Sequence, residues 1–261
     1  MKLAIVTAYP PSKVTLTEYA YYLVKHFRLQ NDVSELILIT DYTDEPKDLE
    51  FEEEGCKITV KESWKFNGYS NLFSINKAIS ETKPDGVLYN LQFLKFGDKK
   101  IPAALGLMSP MVTKYRGIPT ISLLHNILET VDLENAGFTK NRLLQKIYNF
   151  IGSTLTRFVL ASDILAVTIS KYVAILEKKY NARNVALIPH GSFETPPEPS
   201  YKLPHGPKQI MAFGKFGTYK KVEILIEAVE LIRSRISENI EIVIAGTDSP
   251  NTPGYLDDRK S

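Results

Sequence analysis

Short unbroken apolar runs alternate along this chain with longer stretches whose apolar residues recur every three or four positions. These are the marks of buried strands and of helices laid over them. Runs at 3–8, 35–41, 56–62, 86–90, 118–124 and 164–169 predict strands, the first of them central and apolar throughout because both faces of a parallel sheet are covered. Between them, Leu16, Ala20, Leu23, Val24 and Phe27 share one helical face, and 71–82 and 170–180 read as further helices. Residues 102–115 predict a helix interrupted by Pro110. Leu143, Leu144, Ile147, Ile151 and Leu155 predict a long helix over 139–160. Thr15 and Thr17 are candidate N-caps, and Glu18, three residues after Thr15, would complete a capping box. Strand and helix in alternation predict an α/β fold with a doubly wound parallel sheet.

The pattern restarts after a gap. Residues 194–207 hold Pro196, Pro197, Pro199, Pro204 and Pro207 among few apolar residues, the composition of a semi-rigid, extended linker. Beyond it come a strand at 210–213 closed by Gly214, a helix at 220–235 and a strand at 240–246. The expected organisation is therefore a Rossmann-like domain at 1–193, a linker at 194–207, and the beginning of a second Rossmann-like domain at 208–261. A strand–helix–strand start of this size exposes most of its apolar helix face, which predicts that the chain is a fragment.

Two places along this pattern offer chemistry. Gly214, Lys215, Gly217, Lys220 and Lys221 lie between the strand and the helix of the second segment. Glycine lets a backbone approach an anion closely, a helix start offers N–H groups, and lysine adds charge, so the loop is a candidate phosphate cradle. The G-x-x-x-x-G-K-[ST] spacing is absent. An ordinary strand–helix turn with solvated lysines is the alternative. The second place is His125, at the carboxyl end of a predicted parallel strand, where open α/β sheets place their ligands. A histidine bonded to loop backbone is the alternative there.

The stretch 214–228, with Gly214-Lys215, Lys220 and then Leu225, Ile226 and Ala228, resembles the G-[RK]-x-x-x-x-K-G motif and following helix of the group 1, family 4-type retaining glycosyltransferases of the GT-B fold. KPDGVLYN at 83–90, the Thr-to-His run ending at His125, and TISKYVAILEKKYN with VALIPHGSF resemble further segments of that family, in the same order. The sequence departs from the pattern in three places. Lys221 stands in place of glycine, Lys13-Val14-Thr15 replaces a glycine-rich first turn, and His190 stands where asparagine is commonest. The resemblance implies transfer of a sugar from a nucleoside diphosphate sugar to an acceptor hydroxyl with retention. It implies that Lys215 and Lys220, with Gly214 and Gly217, hold the donor diphosphate and that His125 lies near the donor sugar as the catalytic-site residue. No metal and no cofactor beyond the donor substrate are implied. The family's paired glutamates, which grip the donor sugar and ribose, have no counterpart after Gly246, so the chain alone is expected to be inactive.

Composition narrows the partners. Thirty-two Lys+Arg against 30 Asp+Glu in 261 residues give a net charge of +2, with no global field for nucleic acid. Cys56 is the single cysteine, which rules out an intrachain disulfide and fits a reducing, cytoplasmic setting. Acidic residues between 44 and 54 read as a solvated surface. The 139–160 helix carries Lys140, Arg142, Lys146 and Arg157. It is either an ordinary sheet-covering helix or a basic face for peripheral contact with an anionic membrane. The acceptor is left open among sugars, lipids and small molecules. Two rivals remain: a non-catalytic α/β module that binds a nucleotide or a partner, and one subunit of a split enzyme.

Overall fold

The computed structural model describes residues 1–127, 142–192, 198, 206–218, 220–236, 239–248 and 252–257, with only the backbone path given for 142–149. The predicted linker falls almost wholly outside the described residues, as do residues 139–141 of the predicted long helix. The chain divides into two compact units, one of Met1–Val131 with Leu143–Thr195 and one of Asp132–Arg142 with Pro196–Ser261.

The first unit is built on seven strands: β1 (Lys2–Val6), β2 (Glu35–Asp41), β3 (Lys57–Trp64), β4 (Gly86–Leu91), β5 (Thr120–Leu124), β6 (Ile164–Val167) and β7 (Val185–Leu187). Their order in the sheet is β3-β2-β1-β4-β5-β6-β7, and every pairing is parallel. The order reverses between β1 and β4, so the crossovers put helices on both faces, the doubly wound arrangement. The helices are α1 (Thr17–Phe27), α2 (Asn71–Thr82), α3 (Lys100–Leu107), α4 (Ser109–Tyr115), α5 (Arg142–Leu160) and α6 (Ser170–Tyr180). Two apolar layers follow. Val6, Ile37, Ile39, Trp64, Ile75, Ile79, Tyr89 and Leu124 fill one face, and Ile5, Val24, Leu36, Leu38, Leu88 and Leu123 fill the other. Strand residues thus alternate between the two layers although the run itself is apolar. Pro110 does divide the predicted helix: α3 ends at Leu107, and α4 has proline in its first turn, where no amide is lost.

At the start of α1 the structure differs from the expectation. Its N-cap is Leu16, in the left-handed region at φ 68°, with no side-chain cap. Thr15 Oγ1 instead accepts a hydrogen bond from Gln92 Nε2, so no capping box forms. The strand β7, short and half-buried, was not expected from the sequence. The acidic stretch does face solvent, while Lys47 within it is buried against Asp41 and Glu62. None of the helices among the described residues is long and apolar enough to cross a membrane.

The second unit is a parallel pair, β8 (Lys208–Phe216) and β9 (Ile240–Asp248), joined through α7 (Val222–Arg233). Phe216, Val222 and Tyr255 are its buried centre. Both strands run longer than predicted because their ladder continues through the facing pair Gly214 and Gly246 to Phe216 and Asp248.

Candidate functional site

In the first unit the polar residues gather at the carboxyl ends of three neighbouring strands. Thr7 follows β1, Asn90 lies near the end of β4, and His125 follows β5, whose ladder its N–H continues by donating to Leu91 O at 3.0 Å. Asn90 is fully buried, and its Nδ2 donates to Thr7 Oγ1 at 3.0 Å. Its Oδ1 is thereby left as the acceptor for His125 Nε2, 2.7 Å away. Nε2 of His125 therefore carries the proton and Nδ1 the lone pair. Burial, then the nearby His190 and Lys95, push the His125 pKa down to about 4, so the ring is neutral at physiological pH. Its Nδ1 is buried with no hydrogen-bond partner.

Rings frame this imidazole. Tyr19, from the first turn of α1, meets it edge to face with centroids 4.5 Å apart, and His190, just after β7, stacks on it at 5.1 Å. Tyr19 also meets His190 edge to face at 5.4 Å. A neutral histidine held in one tautomer keeps its second nitrogen as an acceptor, and a hydroxyl can reach that nitrogen here only if the rings around it shift. At neutral pH it cannot supply a second proton.

The predicted lysine and glycine residues belong to the second unit and cluster at the carboxyl end of β8. Gly214 and Lys215 lie within the strand, not in a loop as expected, because the ladder with β9 extends past them. Gly217 and Lys220 form the turn that follows, Lys220 N–H donating to Gly217 O at 2.8 Å. Both lysines are exposed and Gly217 is buried. Lys221, where the resembling motif has glycine, sits at φ 48°, a left-handed conformation that glycine adopts without steric cost. The start of α7 also differs from the expected cradle. The N–H of Val222 donates to the Tyr255 hydroxyl at 3.1 Å, and that hydroxyl donates to Glu223 Oε2 at 2.5 Å. The first amide of the helix is thus engaged within the unit, beside a carboxylate.

Sequence reasoning had singled out His125 but not Asn90, Tyr19 or Lys95. Asn90 carried a signal, being the polar residue near the end of an otherwise apolar strand. Lys95 carried none, yet it is fully buried.

With this geometry in view, comparison with solved structures finds similar folds. The chain is similar to Phytolacca americana UGT2 complexed with UDP-2fluoro-glucose and pterostilbene, at 13% identity and a TM-score of 0.51, over 93% of this chain and 71% of that one. It is similar to the apo form of the same UGT2 at 15% identity and a TM-score of 0.50, over 88% of this chain and 61% of that one. It is also similar to the lipopolysaccharide outer core galactosyltransferase WaaB in its apo form, at 15% identity and a TM-score of 0.52, over 95% of this chain and 62% of that one. No family model matches the chain, and no curated protein does so by sequence. The fold is thus α/β of GT-B type: a doubly wound parallel-sheet unit followed by a smaller unit of two parallel strands and a helix. The chain spans under two thirds of the length of two of these three neighbours.

Proposed function

We propose that this chain is the acceptor-side domain and the opening of the donor-side domain of a glycosyltransferase. The enzyme would move a sugar from a nucleoside diphosphate sugar to an acceptor hydroxyl with retention at the anomeric carbon. The observation that carries the reading is His125, a neutral imidazole with its Nδ1 lone pair unshared, at the carboxyl ends of the central strands in a fold whose solved neighbours include a named galactosyltransferase and a protein complexed with UDP-2fluoro-glucose. His125 orients the donor sugar by accepting from one of its hydroxyls. Lys215 and Lys220, with Gly214 and Gly217 allowing close approach, neutralise the charge that grows on the departing diphosphate, which lowers the barrier.

The test uses the protein with its donor domain complete. His125→Ala is expected to cut the release of nucleoside diphosphate from its donor by at least about a hundredfold, with the thermal midpoint moved by only a few degrees. In the same protein Lys215→Ala or Lys220→Ala weakens nucleoside diphosphate binding by roughly ten- to a hundredfold in calorimetry and leaves the matching nucleoside unaffected. Equal losses for both ligands, or none, overturn the diphosphate role. One observation favours the rival, a non-catalytic binding module: the first amide of α7 is already taken by Tyr255, with Glu223 alongside. Normal donor turnover by His125→Ala would overturn the role given to His125, and no turnover of any donor by the unaltered protein would favour that rival.

A further inference from the structure

Lys95, on the stretch between β4 and α3, has no part in the proposed reaction, and it is completely buried. A long amine is seldom sealed from water without a partner that repays its desolvation. Its Nζ donates to Thr15 O at 2.7 Å. From the same stretch Gln92 reaches the side chain of the same residue, Thr15 Oγ1. The next residue, Leu16, holds φ 68° and ψ 17°, a region in which a side chain crowds the backbone. Leu16 O then accepts the Ala20 N–H at 3.0 Å, which fixes the first turn of α1. Tyr19, inside that turn, sets its ring against His125.

The loop 9–16 contains no glycine to make such a bend easy. It is held at its other end as well, where the Ser12 hydroxyl bonds Asp41 Oδ2 and accepts the Val14 N–H at 3.1 Å. We infer that Lys95 is the positioning residue of the site. By binding the carbonyl of Thr15 it keeps Leu16 left-handed and so seats Tyr19 against His125. Only the use made of His125 rests on the glycosyltransferase reading; the lock itself does not.

The experiment reads the histidine ring by nuclear magnetic resonance in the absence of any donor, so its outcome is separate from the fate of that reading. Tyr19→Leu in the otherwise unchanged chain first gives the ring-current displacement that Tyr19 imposes on the His125 ring protons. Lys95→Met keeps the apolar stem and removes the donor. It is expected to erase most of that displacement and to speed exchange of the Ala20 amide by on the order of tenfold. Adding Leu16→Gly to Lys95→Met should return the His125 signals at least halfway, because glycine takes the bend without the lock. A merely space-filling lysine would show no such rescue. His125 signals unmoved by Lys95→Met, or moved but not returned by Leu16→Gly, overturn the inference. Should Lys95→Met fail to fold, Gln92→Leu removes the second hold on Thr15. A smaller displacement in the same direction supports the lock, and none overturns it.

Discussion

Burial of its ring, with His190 and Lys95 nearby, pushes the His125 pKa from 6.5 down to about 4. An unfolded chain takes up that proton near pH 6.5, whereas the folded one resists it down to about pH 4. Stability linked to this residue is therefore complete above pH 6.5 and lost as pH falls through about 4. Urea midpoints at pH 7 and pH 4.5 should fall further for the natural chain than for His125→Gln, by about 1–3 kcal/mol once converted. An identical fall in both would mean that His125 titrates as an exposed histidine does. At this scale the histidine was legible because a polar residue at the end of a parallel strand is conspicuous. Its partners were not. Asn90 reaches it through the register that pairs β4 with β5, a contact 35 positions apart in sequence. Lys95 looks in sequence like any solvated lysine, and only the path of the chain between β4 and α3 buries it.

Elements were legible where the apolar period was long, and misread at their ends. α2 and α6 run as expected, since each shows its period over three turns and stops at a left-handed residue, Lys83 and Asn181. The start of α1 was misjudged because local capping chemistry lost to contacts from 77 and 80 residues away, those of Gln92 and Lys95. β8 and β9 ran long because two glycines face each other, which no single-strand pattern reveals. That pairing makes a sharp prediction. A Cβ on Gly246 would stand 1.8 Å from Gly214 O, at φ 154°, whereas one on Gly214, at φ 136°, meets open space. Gly246→Ala should therefore destabilise the strand pair by at least about 2 kcal/mol, and Gly214→Ala by clearly less. Amide exchange along β8 and β9 measures both, and equal protection in the two variants would refute the ranking.

For the whole molecule, the strand–helix alternation of residues 1–193 made the doubly wound sheet legible, since few topologies satisfy it. The first unit contains all seven strands of its sheet and both apolar layers. A polypeptide ending at Thr195 is accordingly expected to fold by itself. Trp64, the chain's one tryptophan, is buried in that unit and reports on it alone. Urea unfolding followed by its fluorescence should stay cooperative, with a midpoint within about 0.5 M of the longer chain's. A broad, non-cooperative transition would show that residues after 195 are needed to complete the fold.

The second unit has a different fate. Among the described residues, β8 and β9 form a sheet of two strands and each pairs on one side only. The outward flank of each is a row of main-chain donors and acceptors, and Met211 and Phe213 stand 64% and 79% exposed on the face of β8. A flank of that kind is a template on which the same flank of another molecule can pair. Crowding many copies together therefore favours self-association through these flanks. The concentration at which the protein is made and kept then governs how much of it stays usable, independently of any affinity for a ligand.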